Sequence, residues 1–205
     1  MTRVKICGIT RPRDGLAAAR LGADAIGLVF HARSPRHVLP GQAAAIAREL
    51  PPFVSTVALF LDADADEVRS VLRVLPADLL QFHGSEPPEF CRQFGRPYLK
   101  AIGMGAGTQA AWALAARYAD AAGLLLDSHA PGTAGGTGQS FPWEALPMLA
   151  RPLVLAGGLH PGNVAAAITA TQPWAVDVSS GVESAPGIKD EGKMAAFIQE
   201  VRRAG

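Results

Sequence analysis

The residues best able to do chemistry stand at the ends of short apolar runs. Lys5 and Cys7 lie two apart in Arg3-Val4-Lys5-Ile6-Cys7-Gly8, so in a strand both point to one face. An ammonium beside a thiol favours the thiolate, against an ordinary thiol pKa of about 8.5. Lys5 can equally contact a substrate or pair with an acid, and many cysteines are only small buried hydrophobes. Gly8 permits an immediate turn, and Thr10 stands where it could cap a helix. Asp127 follows the run Leu124-Leu125-Leu126. A carboxylate ending a buried strand is costly unless it is paired or used. Partial burial would raise its pKa and let it give a proton near neutrality, and anchoring the next loop is its structural alternative.

The other polar residues at such ends suit binding. Arg36, in a loop with Arg33 and His37, could hold a carboxylate through two parallel hydrogen bonds or could be a solvated surface arginine. Gln81 and His83 end a third run, where His83 reads as cavity lining or as a core histidine. Gly157-Gly158 and Ser180-Gly181 are small-residue turns. Their backbone N–H groups could cradle a phosphate, although each alone could be an ordinary turn. Asp177 precedes the second turn by three residues. Cys91 falls in an expected helix, where it packs.

These residues must be positioned by eight apolar runs, at 4–7, 25–30, 56–61, 79–82, 98–102, 123–127, 153–156 and 175–178. The runs lack clean alternation, which marks strands buried on both faces, as in a parallel sheet covered by helices. Helical signals fill 11–21, 41–50, 64–74, 86–94, 108–118, 143–149, 161–170 and 190–203. Strand starts recur every 20–30 residues or so, the length of one β/α unit. Eight units in one chain predict a single (β/α)8 TIM barrel of eight parallel strands spanning 1–205. A doubly wound open sheet would carry Gly-x-Gly-x-x-Gly after its first strand, and Cys7-Gly8-Ile9-Thr10 does not fit. In the barrel, active sites lie at the strand C-termini and phosphate often sits after strands seven and eight. That rule gathers the candidates around one mouth, with the glycine-rich loop 128–140 beside it.

Composition narrows the function. With 19 basic and 18 acidic residues, no basic patch points to nucleic acid or a membrane surface. No apolar leader precedes the first strand, and no run approaches the roughly 18 apolar residues of a spanning helix. Two cysteines in different elements argue for reduced thiols and a cytoplasmic protein. No Cys/His cluster has zinc spacing, no dinucleotide fingerprint occurs, and no cofactor is expected. The remaining chemistry is acid–base, fitting an isomerase or lyase acting on a sugar phosphate with a second anionic group.

The set resembles the phosphoribosylanthranilate isomerase family of tryptophan biosynthesis. The residues that carry the resemblance run in order from 3 to about 190. They are Lys5-Ile6-Cys7-Gly8-Ile9-Thr10, Gly22 to Phe30, Ser34-Pro35-Arg36, Leu80-Gln81-Phe82-His83-Gly84 and Leu125-Leu126-Asp127, and then Gly135-Gly136-Thr137-Gly138, Leu155-Ala156-Gly157-Gly158-Leu159 and Val176 to Glu183. The resemblance implies a (β/α)8 barrel and a cofactor-free Amadori rearrangement. N-(5'-phosphoribosyl)anthranilate would become 1-(o-carboxyphenylamino)-1-deoxyribulose 5-phosphate. It puts the catalytic acid on Asp127, which protonates the ribose ring oxygen and opens the ring to a Schiff base. It puts the base on Cys7, which removes the C2' proton to give an enolamine that tautomerises to the ketone. Arg36 matches the residue holding the anthranilate carboxylate, Gly157-Gly158 and Ser180-Gly181 the phosphate site, and Asp177 a sugar contact. Relatives of this type occur as monomers or homodimers. Where the family often reads Lys-x-Phe-Asp-Trp, this chain has Gln139-Ser140-Phe141-Pro142-Trp143, and strand four has Phe82 where leucine is usual. The alternatives are another phosphate-binding barrel isomerase of amino-acid biosynthesis, disfavoured by Cys7, and a barrel that binds metabolites without turnover, disfavoured by the Cys7/Asp127 pair.

Overall fold

The computed structural model describes residues 1–127 and 151–205. Eight parallel strands close into a barrel in sequence order. They are β1 Arg3–Cys7, β2 Ala25–Val29, β3 Ser55–Phe60, β4 Leu79–Phe82, β5 Tyr98–Gly103, β6 Gly123–Asp127, β7 Leu153–Leu155 and β8 Ala175–Val178. Each matches an expected strand to within one residue at either end. The ring shuts where β1 pairs with β8, in a register that puts Lys5 opposite Asp177.

Both faces of the strands are buried for different reasons. Leu99, Ala101, Leu125, Val154 and Ala175 fill the barrel interior, and Ala156 tops them at the mouth. Their alternate neighbours, such as Ile6, Leu28, Phe60, Phe82 and Leu126, point outward and join the main core under the helices. Along β6 the inward row of Leu125 therefore ends on Asp127, and along β1 that of Lys5 ends on Cys7. The apolar floor lies low, and the ionisable groups lie at the C-terminal mouth.

The helices are α1 Pro12–Leu21, α2 Pro40–Arg48, α3 Ala65–Val74, α4 Pro88–Arg92, α5 Thr108–Ala115, α6 Val164–Thr171 and α7 Glu191–Ala204. Asp64 caps α3 by accepting from Glu67 N at 2.8 Å, and Asp190 caps α7 through Lys193 N at 2.9 Å. Three expectations are corrected. Thr10 does not cap α1; its hydroxyl donates to the Gly187 carbonyl at 2.6 Å, and Arg11 stands at the N-cap. The helix expected over 86–94 shrinks to α4, because Glu86 is drawn into a buried ion pair. The helix expected from 161 begins at 164, because the preceding residues form a turn stitched by Asn163. The helix expected over 143–149 and the loop 128–140 lie outside the described residues.

One element was not anticipated. After β8 the chain forms an antiparallel hairpin of β9 Glu183–Ala185 and β10 Ile188–Lys189. Its turn is Pro186-Gly187, with Gly187 at φ 77°, a conformation that glycine adopts readily.

Candidate active site

The strand C-termini surround a cavity of about 730 Å3, counted to its opening into solvent. Cys7, Arg36, Gln81, His83, Asp127, Asp177, Gly157, Gly158 and Ser180 all line it. Lys5 and Gly181, expected at the site, do not line it and sit just behind its wall.

At the floor, Lys5 Nζ donates to Asp177 Oδ1 at 2.9 Å, and both side chains are buried. Lys5 therefore pairs with an acid, the option that the sequence left open beside substrate contact. Burial alone would drive its pKa down, but the Asp177 carboxylate and Cys7 outweigh it, so the ammonium is retained. For Cys7 the balance goes the other way. Burial is the largest influence and pushes the thiol up, against the downward pull of Lys5 and Lys189. Lys5 thus favours the thiolate, as expected, without dominating it. Gly27 on β2 makes the arrangement fit: a Cβ there would come within 2.7 Å of Cys7 Sγ and 3.1 Å of Lys5 Nζ. The sequence shows Gly27 only as an interruption in an apolar strand.

Across the mouth stands Asp127, 6% exposed, with Oδ2 3.6 Å from His83 Nε2. His83 Nδ1 lies 3.2 Å from Gln81 Nε2. With the amide donating, Nδ1 accepts, and Nε2 faces Asp127. Gln81 Oε1 is buried and has no hydrogen-bond partner among the described residues. A buried acceptor left in this way costs stability unless a ligand satisfies it.

Arg36 does hold a carboxylate, but one from its own chain. Nε and Nη2 each donate to Glu183 at 2.8 Å, and this fork lifts the Arg36 pKa above its ordinary value. Gly8, at φ 76°, ends β1 without a side chain, and the Arg36 stem lies where one would be. Lys189 Nζ, fully covered, reaches the same carboxylate at 2.8 Å and the Ser179 carbonyl at 3.1 Å. Lys189 and Glu183 were not among the expected site residues. The turn signal Pro186-Gly187 is the trace that their hairpin leaves in the sequence.

The two glycine turns face each other. Gly157 and Gly158 have φ of 85° and 65°, and Asn163 Nδ2 donates to the Gly158 carbonyl at 2.9 Å. A Cβ at Gly181 would collide with the Leu159 carbonyl, so the turns after β7 and β8 pack backbone to backbone. Ser180 begins a short 3-10 turn that runs to Val182. Among the described residues no group of three or more His, Cys, Asp or Glu could hold a metal ion. No helix among them is long and apolar enough to cross a membrane.

A closed parallel barrel with a thiol, a carboxylate and glycine turns around one mouth defines a (β/α)8-barrel enzyme with its candidate site at the strand C-termini. Residues 4–200 match the family described as N-(5'phosphoribosyl)anthranilate (PRA) isomerase, and the chain belongs to that family. It is 56% identical to the N-(5'-phosphoribosyl)anthranilate isomerase of Alcanivorax borkumensis, covering 99% of this chain and 96% of the relative. It is 54% identical to that of Acidithiobacillus ferrooxidans, covering 98% of each. The crystal structure of phosphoribosyl anthranilate isomerase from Thermotoga maritima superposes with a TM-score of 0.90 at 40% identity, over 99% of this chain and all of that one. A phosphoribosyl anthranilate isomerase in complex with reduced 1-(o-carboxyphenylamino)-1-deoxyribulose 5-phosphate superposes at 0.86, with 36% identity and the same coverage.

Proposed function

We propose that this chain isomerises N-(5'-phosphoribosyl)anthranilate to 1-(o-carboxyphenylamino)-1-deoxyribulose 5-phosphate in tryptophan biosynthesis, with Asp127 as general acid and Cys7 as general base. The observation that carries the assignment of roles is that Cys7 and Asp127, both buried at strand ends, line one cavity. Asp127 gives its proton to the ribose ring oxygen as the C1'–O bond breaks, and the anilino nitrogen lone pair forms the C1'=N double bond. Cys7 then takes the proton from C2', and that electron pair becomes the C1'=C2' double bond of the enolamine. Return of a proton to C1' and loss of one from the C2' hydroxyl give the ketone. One proton is given and one is taken, so no step calls for a cofactor. The cationic Schiff base adds a positive charge to those of Lys5 and Lys189, which already pull the Cys7 thiol down against burial.

The rest of the cavity suits the substrate's other groups. Arg36 takes the anthranilate carboxylate. The turns at Gly157-Gly158 and Ser180-Gly181 take the phosphate through backbone N–H groups. Gln81 Oε1 accepts from a ribose hydroxyl, and Asp177, anchored by Lys5, takes another. His83 orients Asp127. The chain works as one domain over 1–205, as a monomer or homodimer, in the cytoplasm, with a small-molecule substrate and no nucleic-acid or membrane partner. Loss of phosphoribosylanthranilate fluorescence is the assay. The wild type is expected to turn over, and Asp127→Ala to lose at least ~100-fold in kcat, the low end for a general acid. Near-normal turnover in that variant would remove Asp127 from the mechanism. A folded wild type with no turnover would favour binding without catalysis.

A further inference from the structure

Arg36 has two hydrogen-bonding edges, and only one is spent inside the protein. A guanidinium carries five N–H donors in a rigid fork. Glu183 occupies the Nε/Nη2 edge, with both contacts at 2.8 Å. The Nη1/Nη2 edge meets no acceptor among the described residues, while Arg36 lines the cavity. A second carboxylate can therefore dock on the free edge with the same two-bond geometry.

Glu183 is itself held from several sides. Lys189 Nζ and Gly187 N both donate to its Oε1, at 2.8 Å and 3.3 Å, and Lys193 Nζ donates to its backbone carbonyl at 2.7 Å. The hairpin tip is in turn fixed, since Thr10 donates to the Gly187 carbonyl and a Cβ at Gly187 would lie 2.9 Å from the Pro35 carbonyl, one residue before Arg36. Lys189 also reaches the Ser179 carbonyl at 3.1 Å, where the turn after β8 begins.

We infer that Glu183 is a positioning residue for substrate recognition: clamped by the β9–β10 hairpin, it orients Arg36 so that its free edge faces the cavity and selects ligands bearing a carboxylate. The inference rests on the proposed contact between Arg36 and the anthranilate carboxylate.

The test is binding of reduced 1-(o-carboxyphenylamino)-1-deoxyribulose 5-phosphate and of its analogue lacking the ring carboxylate. Both are titrated against wild type, Arg36→Met, Glu183→Gln and the double variant. Arg36→Met is expected to weaken the carboxylated ligand by at least about tenfold, one charge-assisted hydrogen bond or more, and to leave the analogue within about twofold. Glu183→Gln is expected to weaken the carboxylated ligand by about tenfold, to spare the analogue, and to add nothing once Arg36 is methionine. Equal losses for both ligands in Glu183→Gln, or losses that add to those of Arg36→Met, would overturn the inference while leaving the Arg36 contact standing. An Arg36→Met substitution that weakens both ligands equally, or neither, would overturn the contact itself. If Glu183→Gln does not fold, Glu183→Asp keeps the charge and shortens the reach by one methylene. The same selective loss is then expected, and equal loss for both ligands counts against the inference.

Discussion

Two regions of this barrel contain the same three kinds of residue and use them differently. Inside the barrel, at the mouth, are Lys5, Asp177 and Cys7. Outside it, between β5 and the helices, are Lys100, Glu86 and Cys91. Lys100 Nζ has three acceptors: the Phe82 carbonyl at 3.3 Å, the Gly84 carbonyl at 2.5 Å and Glu86 Oε2 at 2.8 Å. Glu86 Oε1 accepts from Asp62 N and Gly84 N, and its backbone carbonyl takes the Tyr118 hydroxyl and the Cys91 thiol. Every group in that cluster ends on protein, and its effect is to pin the chain that leaves β4 after His83. At the mouth, Asp177 gives one oxygen to Lys5, and both Asp177 and Cys7 line open space. A buried charge with all its partners is architecture; one with capacity left over is available to a ligand.

That contrast can be broken most directly at Lys100. Lys100→Met leaves Glu86 buried and unpaired, so a loss of about 3–5 kcal/mol in urea unfolding is expected. Replacing both partners, as Lys100→Met with Glu86→Leu, should recover only part of this, since the N–H groups of Asp62 and Gly84 then lose their acceptor. Full recovery would mean that the cluster matters only as an ion pair.

The two thiols come next. Cys91 is fully buried, and burial pushes its pKa up to about 12, so it stays a thiol at any physiological pH. Cys91→Ala is expected to leave kcat within about twofold, while Cys7→Ala loses at least ~100-fold, as a general base should. Equal kcat in these two variants would erase the distinction between the regions. A finer test is the pH profile. Because burial dominates Cys7, the rising limb of kcat/KM should lie above the ordinary thiol range. Removing one of the opposing cations by Lys5→Gln should move it to still higher pH. A limb that stays put would assign Lys5 to anchoring Asp177 alone.

The sequence carries one of these regions better than the other. Eight apolar runs at β/α spacing make the barrel readable, and the barrel rule alone puts Cys7, Asp127 and the glycine turns at one mouth. Lys100 is silent because Tyr98-Leu99-Lys100-Ala101-Ile102 reads as an apolar strand with one polar interruption, and nothing local shows that its partner lies in the loop after β4. Glu86 reads as the start of a helix because Glu-Pro-Pro is a good helix start, a local signal that a long-range pair overrides. The role of Glu183 was hidden for the same reason: its partner Arg36 lies 147 residues away. Pairs like these need the closed ring to bring them together.

Glu183 belongs to a third kind of region, closed on one edge and open on the other, and its acid response is the smallest effect expected here. Burial pushes its carboxyl up, but Arg36 and Lys189 outweigh that, so its folded pKa lies below its ordinary value. A carboxylate depressed on folding stabilises the protein above its unfolded pKa of about 4.3, and that contribution disappears as pH falls through the folded value. Urea midpoints of the wild type should therefore drop on acidification below about pH 4.3 by more than those of Glu183→Gln, whose neutral amide does not titrate. The gap between the two proteins should be widest at neutral pH and narrow in acid. A gap that stays constant would mean that Glu183 contributes by shape and not by charge.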